Sequence, residues 1–551
     1  MKHQVLKVHP DDNVLVALQN LSKGQEVKFN GSSYTLQTDV EAKHKFTTQS
    51  LHEGDPVIMY GVLVGRAIEK IEAGSRISTR NLKHATNDYS LSANRKTNWH
   101  VPDESKWKGK TFMGYHRSDG SVGTANYWLI VPLVFCENRN VDVIREALLE
   151  ELGYARLKKY NQFSKKLVDL YKSGATAEKI LAAEFKKEDE LQSYNPLFKN
   201  VDGVKFLNHE GGCGETRQDS QALCALLAGY ITHPNVAGAT VLSLGCQNAQ
   251  IPLLQEEIKK KSPNFDKPVY YLEQQKVGLE TDMIAAALKQ TFTGLMIADQ
   301  CKREPASIST LCIGLECGGS DGFSGISANP AIGYTSDLVV AAGGSVILSE
   351  FPELCGVEQE ISDRCINEKS AKRFIELMKT YNERAVAAGS GFYMNPSPGN
   401  IKDGLITDAI KSAGAAKKGG TSPVADVLDY TEKVTKPGLN LLCTPGGDVE
   451  STTAEVGSGA TVVLFTTGLG TPTGNPIAPV IKLSSNTALY KKMPDIIDIN
   501  TGDIIDGEET IEQAGERILD FVIKVASGEV KAKSVIHGQD DFIPWKRGVS
   551  L

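Results

Sequence analysis

The chain has 551 residues, a net charge of −7 and 41% hydrophobic residues, which suffices for about two to four domains with their own cores. The negative charge gives no general attraction to nucleic acid, and no apolar run reaches the ~20 residues that a bilayer-spanning helix needs. Because the first residues also lack the apolar stretch of a signal peptide, we expect a cytoplasmic protein without nucleic-acid or membrane partners.

Residues 1–85 are predicted to form a small β-rich domain. Within them, residues 54–78 show short apolar runs separated by glycines at nearly regular intervals, which is typical of compact β structure. One helix is predicted in this domain, over DNVLVALQNLSKG, beginning at Asp12 or Asn13 and ending at Gly24. Residues 86–108 are polar and aperiodic, and we interpret them as a linker.

The rest of the chain alternates short apolar runs, such as ATVLSLGC and ATVVLFTTG, with helical stretches. This alternation predicts an α/β body with largely parallel, Rossmann-like sheets. We divide it into domains at residues 109–390 and 391–551. The charged helical segment 155–200 interrupts the pattern and is interpreted as a solvated insertion.

Polar chemistry follows several of the predicted strands. In open α/β sheets, ligands bind beyond the carboxyl ends of the strands. The chain has ten cysteines and no CxxC pair, so a disulfide scaffold is not indicated. Four of the ten come directly after apolar runs, and we expect them to converge on one site: Cys136, Cys213, Cys246 and Cys317.

The segment GLECGGSDGFSGISANP, residues 314–330, combines glycines with polar side chains. Glycine permits tight turns and close backbone approach, which suits a small polyoxygenated ligand. We predict that such a ligand is bound by Ser320, Asp321, Ser324 and Asn329. No GxxxxGK[ST] motif occurs, and no GxGxxG motif lies between a strand and a helix, so nucleotide binding is unsupported.

Seven motifs together resemble the altronate and galactarate dehydratases, and the resemblance covers almost the whole chain. They are DGSVGTANYW, HEGGCG, LGCQNAQ, GLECGGSDGFSGISANPAIGYTSD, NPSPGN, FTTGLGTPTGNPIAPVIK and IDINTGDI. The first domain, with HPDDNVLVAL and KHKF, resembles the SAF-type domain of the same enzymes. The resemblance implies loss of water from D-altronate, giving 2-dehydro-3-deoxy-D-gluconate in hexuronate catabolism. It also implies iron(II), with manganese as an alternative, and a sugar acid as the small-molecule substrate.

Three departures from the family pattern bear on the substrate. Ala125 and Leu469 stand where the family usually has arginine, and residues 78–81 read STRN instead of a histidine-rich HTHN. Because arginine binds carboxylates in a bidentate manner, the two changes predict lost carboxylate contacts. They make a diacid such as galactarate a weaker candidate than altronate.

Removing water from an aldonic acid needs a base for the α-proton and an acid for the leaving hydroxyl. We predict His44 and His209 as proton-transfer groups, Glu350 as a further acid or base, and Lys45 and Lys482 as partners of the substrate carboxylate. For His44 and Lys45 a solvated basic turn is the alternative, and for His209 a core histidine. The predicted metal ligands are Cys136, Cys213, Cys246 and Cys317, holding either one ion or an iron–sulfur cluster, with Asp321, Glu350 and Glu353 as oxygen alternatives.

Two further functions stay open at this stage: a related hydroxy-acid lyase and a non-catalytic sugar-acid-binding descendant. We also expect a homo-oligomer, with the active site between the first domain and the α/β body, because domain interfaces are common ligand sites.

Overall fold

The computed structural model describes residues 3–91, 99–156, 159–185 and 195–550. The β-rich first domain is followed by an α/β body with two parallel sheets, so the predicted fold class is confirmed. Parts of the predicted linker (92–98) and of the predicted insertion (157–158 and 186–194) lie outside the described residues. Within the described residues, none of the helices is both long enough and apolar enough to cross a membrane.

The first domain consists of short antiparallel strands in three small sheets, ordered β1-β2-β5, β3-β4 and β6-β7-β8. Their core includes Val14, Val16 and Phe46. The strands are β1 (Val5–Leu6), β2 (Val14–Ala17), β3 (Glu26–Phe29), β4 (Ser32–Thr35), β5 (Lys45–Thr47), β6 (Pro56–Met59), β7 (Val62–Ala67) and β8 (Leu82–Lys83).

The helix predicted over residues 12–24 is wrong, because the segment forms strand β2. All four residues of β2 are buried, and the strand pairs with β1 on one side and β5 on the other. An unbroken apolar run such as VLVAL has neither a helical nor a strand period, so periodicity cannot separate the two. The β-branched Val14 and Val16 favour the strand that tertiary pairing selects.

The second region, residues 111–307, contains the first parallel sheet, in the order β12-β11-β13-β14, and a smaller antiparallel sheet, β10-β9-β15. Helices α2 and α3 lie within the predicted insertion. The elements are β9 (Thr111–His116), β10 (Val122–Gly123), β11 (Tyr127–Pro132), α1 (Asn138–Leu149), α2 (Lys159–Lys172), α3 (Ala177–Leu181), β12 (Gly203–Phe206), α4 (Arg217–Thr232), β13 (Val236–Ser243), α5 (Ile251–Lys261), β14 (Val269–Glu273), α6 (Gln274–Val277), α7 (Glu280–Ala298) and β15 (Arg303–Ser307).

The third region contains the larger parallel sheet, of seven strands, in the order β18-β19-β17-β16-β20-β21-β22. Its central strands are buried along their whole length, as in a sheet covered by helices on both faces. The elements are β16 (Cys312–Cys317), α8 (Ala328–Ala341), β17 (Ser345–Leu348), α9 (Glu358–Asp363), α10 (Glu368–Ala387), α11 (Pro398–Lys402), α12 (Asp408–Ala415), β18 (Val424–Leu428), β19 (Gly438–Leu442), α13 (Asp448–Gly457), β20 (Val462–Thr467), β21 (Val480–Ser484), α14 (Thr487–Lys492), β22 (Ile499–Asn500), α15 (Gly502–Asp506), α16 (Ile511–Ala526) and α17 (Lys533–His537).

The carboxyl-terminal tail links the carboxyl edges of the two parallel sheets. Arg547 donates its backbone N–H to Asp219 at the start of α4, at 2.9 Å, and its guanidinium is paired with Asp429, which follows β18. At the opposite edges, the Thr124 hydroxyl donates to the carbonyl of Thr461 at 2.8 Å. The two carboxyl edges, where ligands bind in such sheets, therefore face the same side of the molecule.

Candidate functional site

The first domain lies against the carboxyl edge of the seven-stranded sheet. Lys43 Nζ is 3.1 Å from Asp321 and 2.9 Å from Asp403, and Lys45 Nζ donates to the carbonyl of Gly404 at 2.6 Å. A Cβ on Gly322 would lie 2.4 Å from the carbonyl oxygen of Lys43, so this approach requires a glycine at position 322. The glycine-rich segment thus forms the docking surface for the first domain.

Asp321 is the centre of a fully used hydrogen-bond network. Its carboxylate accepts from the backbone and hydroxyl of Ser324, both at 2.9 Å, from the Ser485 hydroxyl at 2.8 Å and from the Asn486 amide at 3.1 Å. Together with Lys43, these donors leave the carboxylate little capacity for a ligand. The structure therefore gives Asp321 and Ser324 a role in holding the loop, and their predicted contact with substrate stays a prediction.

The pKa values of Lys45 and His44, two buried residues of the first domain, are lowered. Burial lowers the pKa of Lys45 to about 7, against the raising effect of Asp321. Burial and the nearby Arg76 lower the pKa of His44, and its Nε2 atom has no hydrogen-bond partner among the described residues. Both side chains therefore have uncharged forms near neutral pH, as a general base needs.

A second group of ionisable side chains, buried except for the partly buried Lys411, lies at the ends of β16 and β17. We name it the charge cluster: Cys317, Glu350, Glu353, Lys411 and Lys418. Lys418 Nζ is 3.0 Å from Cys317 Sγ and 3.2 Å from Glu350 Oε2. Lys411 Nζ is 2.6 Å from Glu353 Oε1, and the Cys317 thiol donates to Glu353 Oε2 at 3.3 Å. Ions this deeply buried persist only when they are paired in this way.

Glu350 is the member of the charge cluster whose pKa lies near neutrality. Burial and then Glu353 raise the pKa of Glu350 to about 7, while Lys418 opposes the rise. Burial would also raise the pKa of Glu353, but Lys411 and Lys418 hold it below its usual range. Two neighbouring carboxyl groups with separated pKa values are the pattern that marks acid and base roles.

The backbone of Glu350 is also unusual. Its φ of 59° is in the left-handed region, which a residue with a side chain seldom adopts, and its N–H donates to the Thr444 hydroxyl at 2.8 Å. Such conformations persist where the surrounding structure enforces them, and they cluster at functional sites.

Three of the four strand-end cysteines lie together, and we name them the thiol group: Cys136, Cys213 and Cys246. Burial raises the pKa of Cys136, and the thiols of Cys213 and Cys246 raise it further. All three are exposed at the carboxyl edge of the four-stranded sheet, after β11, β12 and β13. Cys317 lies on the other parallel sheet, at the end of β16, so the expected convergence of all four is not found.

His209 has a structural role beside the thiol group. Its Nε2 lies 2.8 Å from the carbonyl of Pro132, and its Nδ1 accepts from the backbone of Gly211 at 3.1 Å. Burial lowers its pKa to about 4, so it is neutral, and both ring nitrogens are engaged. This arrangement matches the alternative of a core histidine and leaves no nitrogen for a metal ion or a substrate proton.

The two groups differ in how well they fit iron. The sulfur of Cys317 and the carboxylate oxygens of Glu350 and Glu353 lie within 4.8 Å of one another, but the ammonium groups of Lys411 and Lys418 already neutralise them. A metal cation there would be repelled by two buried ammonium ions. The thiol group has exposed sulfurs of the kind that iron and zinc prefer. The residues present therefore fit iron at the thiol group.

The remaining predicted residues lie at separate places in the fold. The side-chain amide of Asn329 is fully engaged within the protein: its nitrogen donates to the carbonyl of Gly414, and its oxygen accepts from the Thr466 hydroxyl. Lys482, on β21, is buried against Gln539, and burial lowers its pKa to about 8. Ser320 is buried at the site, and its hydroxyl has no partner among the described residues, so it stays a candidate for substrate contact.

The two departures from arginine fall at opposite ends of the sheets. Ala125 is buried before β11, at the amino edge, where its carbonyl accepts from Arg117 at 3.4 Å. An arginine contact with substrate is therefore not lost there. Leu469 follows β20 at the carboxyl edge, is 37% exposed and donates its N–H to the Gly319 carbonyl at 2.9 Å. Position 469 is thus the departure that lies beside the candidate site.

The sequence patterns gave no indication of Lys411 and Lys418 as site residues. Lys411 lies in α12 and Lys418 in the short turn after it, in the sequence GAAKKGG. Lysine is almost never fully buried, so a lysine in such a stretch is ordinarily assigned to the surface. The one available signal was the apolar, glycine-rich setting of Lys418.

Comparison with known proteins agrees with this architecture. Three family models match: the altronate/galactarate dehydratase SAF domain at residues 3–85, the D-galactarate dehydratase/altronate hydrolase second domain at residues 114–299, and the D-galactarate/altronate dehydratase C-terminal domain at residues 308–550.

Three curated relatives match nearly end to end. The altronate dehydratase of Bacillus subtilis is 34% identical over 99% of both chains, and that of Escherichia coli K12 is 32% identical over the full length of both. The galactarate dehydratase (L-threo-forming) of Escherichia coli K12 is 32% identical over 96% of this chain and 94% of the relative.

The fold, the buried acid and base groups and these matches define an enzyme of the hydro-lyase class, which removes water by breaking a carbon–oxygen bond. The chain belongs to the altronate/galactarate dehydratase family, and its first domain is the SAF domain of that family.

Proposed function

We propose that the protein removes water from D-altronate, giving 2-dehydro-3-deoxy-D-gluconate in hexuronate catabolism. The observation that carries this proposal is the end-to-end match to two altronate dehydratases, at 34% and 32% identity. A cytoplasmic location and self-association of the chain are predictions from the sequence that accompany it.

The proton transfers are assigned to the groups whose pKa values lie near neutrality. In its uncharged form, Lys45 accepts the α-proton, and the adjacent His44 is a second acceptor. Glu350, with a pKa of about 7, donates a proton to the departing hydroxyl. The resulting enol becomes the keto acid without an oxidant or reductant.

Two features of the site support a carboxylate substrate. Lys43, although paired with Asp321 and Asp403, places a basic side chain at the domain interface, and the buried Ser320 hydroxyl has no partner among the described residues next to the fixed Asp321 loop. The first domain thereby closes over the carboxyl end of β16, which limits water at the reacting atoms.

The cysteines of the thiol group would hold the iron, with manganese as an alternative. Bound iron would act as a Lewis acid that stabilises negative charge on the substrate as the α-proton leaves.

Galactarate is the second candidate substrate, because a galactarate dehydratase aligns over 96% of this chain. A diacid needs a second cationic anchor, and Leu469 removes a cation from the edge of the site. This observation favours the monoacid. A related hydroxy-acid lyase and a binding-only descendant are the remaining alternatives.

The test is anaerobic incubation of iron-loaded protein with D-altronate and, in parallel, galactarate, with 2-keto acid as the readout. Formation of keto acid from altronate, abolished by a chelator, is the expected result. Product from galactarate alone would reverse the order of substrates. Binding of altronate without product, in folded and iron-loaded protein, would favour the non-catalytic descendant.

A further inference from the structure

We propose that His84, Cys355 and Asp408 bind a zinc ion that links the first domain to the carboxyl edge of the seven-stranded sheet. We name these three residues the interdomain triad. The site is separate from the thiol group and supplies no step of the proposed dehydration. Its occupancy can therefore be tested whether or not the protein acts on a sugar acid.

The interdomain triad comes from three segments that meet where the first domain ends. His84 follows β8, Cys355 follows the short helical turn after β17, and Asp408 is the first residue of α12. One donor atom from each of the three lies within 4.8 Å of the other two. Zinc–ligand bonds of ~2.0–2.3 Å in a tetrahedron place donor atoms about 3.3–3.8 Å apart, so shifts of roughly 1 Å would close the three around one ion.

Two polar atoms of the interdomain triad lack a partner. Nδ1 of His84 and Oδ2 of Asp408 are buried and have no hydrogen bond among the described residues. The other carboxylate oxygen of Asp408 accepts from the Ser412 hydroxyl at 3.3 Å, and the whole residue is buried. Unpaired polar atoms in a protein interior are costly and rare, and a cation bound by the interdomain triad would supply the missing partner.

Charge separates the interdomain triad from the neighbouring charge cluster. Within the described residues, these two places contain the two groups of three His, Cys, Asp or Glu side chains whose donor atoms lie within 4.8 Å of one another. In the charge cluster, Lys411 and Lys418 already neutralise the carboxylates. Lys411 lies one turn beyond Asp408 in α12, but it is paired with Glu353 at 2.6 Å and leaves Asp408 Oδ2 free. A cation at the interdomain triad therefore has no ammonium group to displace.

The alternative is an interdomain triad without metal, in which all three groups are neutral. Burial raises the pKa of Asp408 and of Cys355 and lowers the pKa of His84, so the uncharged forms are favoured when no ion is bound. Neutral groups avoid the cost of buried charge, but they leave His84 Nδ1 and Asp408 Oδ2 without partners. Metal content distinguishes the two states.

The types of ligand indicate zinc. Thiolate, imidazole and carboxylate are the three side-chain ligands that zinc accepts, whereas calcium and magnesium are bound by oxygen ligands. A zinc site with three protein ligands takes a water molecule as the fourth.

The three segments are also held together next to the interdomain triad. The hydroxyl of Thr407, at the start of α12, donates to the carbonyl of Val64 on β7 at 2.9 Å. The segment after β8 passes close to the turn after β17, where a Cβ on Gly356 would lie 2.9 Å from Thr86 Cγ2. The ligands are therefore presented by a preorganised frame, as a metal site requires.

The experiment uses full-length protein in which the three cysteines of the thiol group are changed to serine, so that they cannot bind metal. This background protein is stripped with a chelator and loaded with zinc, which is counted per chain. A parallel sample is loaded with cobalt(II), whose absorption reports thiolate ligation. The variants made in this background are His84→Gln, Cys355→Ser and Asp408→Asn. Cys443→Ser is the matched control, since Cys443 is also buried and also lies just beyond a strand.

The background protein and Cys443→Ser should bind about one zinc per chain, and the cobalt form should show a thiolate charge-transfer band. Each variant of the interdomain triad should lose the zinc, and Cys355→Ser should lose the band. Circular dichroism checks folding, and His84→Gln changes the least buried of the three positions. Absence of zinc and of the band in the folded background protein would overturn the proposal, as would unchanged zinc affinity in folded His84→Gln.

Hydrogen exchange tests the link between the domains. Zinc at about ten times its Kd should slow exchange of the backbone amides after β8 about tenfold, because opening this segment would release the ion. The same zinc should leave exchange in His84→Gln unchanged. Zinc that binds without slowing exchange in the background protein would reject the linking role.

Discussion

At the carboxyl edge of the four-stranded sheet three cysteines are exposed, whereas at the corresponding edge of the seven-stranded sheet Cys317 is buried among two lysines and two glutamates. In both places a cysteine beside a glycine follows an apolar strand. The surroundings differ: the thiol group is exposed on loops that are hydrogen-bonded to one another, and charged side chains with little or no exposure surround Cys317.

The contrast teaches that burial and charge partners decide what a strand-end thiol can do. An exposed sulfur without a competing cation is available to a metal ion, while a buried sulfur 3.0 Å from an ammonium is held in a network of charged side chains. Four predictions test the seven-stranded sheet's side of this comparison. Two change Glu350 and Lys418 of the charge cluster, and two change Lys45 and Leu469 at the same edge of the sheet.

Glu350→Gln should give the largest effect. The amide keeps the shape of the protonated acid but cannot donate a proton to the leaving group, so kcat should fall about 10²- to 10⁴-fold. The matched control is Glu358→Gln, since burial also raises the pKa of Glu358 to about 7 but it lies at the start of α9, outside the charge cluster. Steady-state kinetics on both variants decides, and equal losses would contradict the role of Glu350.

Lys418→Met should break the charge cluster and destabilise the protein by about 3–5 kcal/mol, because buried Glu350 and Cys317 lose their shared cation. Losing this cation raises the folded-state pKa of Glu350 further above its unfolded value. The destabilisation should therefore grow as pH rises from 6 to 8.

The measurement for Lys418→Met is denaturant unfolding at the two pH values. Lys482→Met is the control, since Lys482 is also a buried lysine, but it hydrogen-bonds to the neutral Gln539 and its acidic neighbours Asp498 and Asp541 form no close ion pair with it within the described residues. If both variants are destabilised equally, the loss of stability in Lys418→Met does not come from the broken ion pair, and the prediction is contradicted.

Lys45→Met should abolish turnover and yet stabilise the protein by a few kcal/mol, since charging the buried amine opposes folding. The folded pKa of about 7 lies below the unfolded 10.5, so the folded state binds fewer protons between these values. The stability gain should be full below pH 7 and decline towards pH 10. Melting temperatures at pH 6.5 and 9.5 test this, and a gain that does not depend on pH would contradict the lowered pKa.

Leu469→Arg should have the smallest effect. Restoring a cation at the partly exposed edge of the site should lower KM for altronate a few-fold, and salt should screen the gain. Leu181→Arg adds the same charge on α3, within the insertion, and should leave KM unchanged. An unaltered KM in Leu469→Arg would show that position 469 does not face the substrate.

The strand-end rule predicted the cysteines' positions in the fold but not which of them meet. Cys136, Cys213, Cys246 and Cys317 all lie at or just beyond carboxyl ends of strands, as expected. Sheet membership depends on long-range pairing, and β16 pairs with β17, the next strand, and with β20, far along the chain. No local pattern around Cys317 indicates this.

Of the charge cluster, the glutamates could be predicted from the sequence and the lysines could not, for a similar reason. Glu350 and Glu353 follow β17 directly, so their place at the edge could be expected. Lys411 and Lys418 reach the same place from α12 and the turn after it, and only tertiary packing makes buried lysines favourable there. The misassigned β2 shows the same limit, because pairing with β1 and β5 decides its conformation.

The contact between Lys43 and Asp403 joins positions 360 residues apart. During synthesis, at roughly 5–20 residues per second, the first domain leaves the ribosome well before its docking surface exists. Asp321 is available to Lys43 earlier, but Asp403 and the carbonyl of Gly404, which binds Lys45, are missing until residues 403 and 404 have been made. The contact between the first domain and the seven-stranded sheet is consequently completed only after residue 404 has been synthesised, so a nascent chain stalled before that point lacks the interface that buries Lys45.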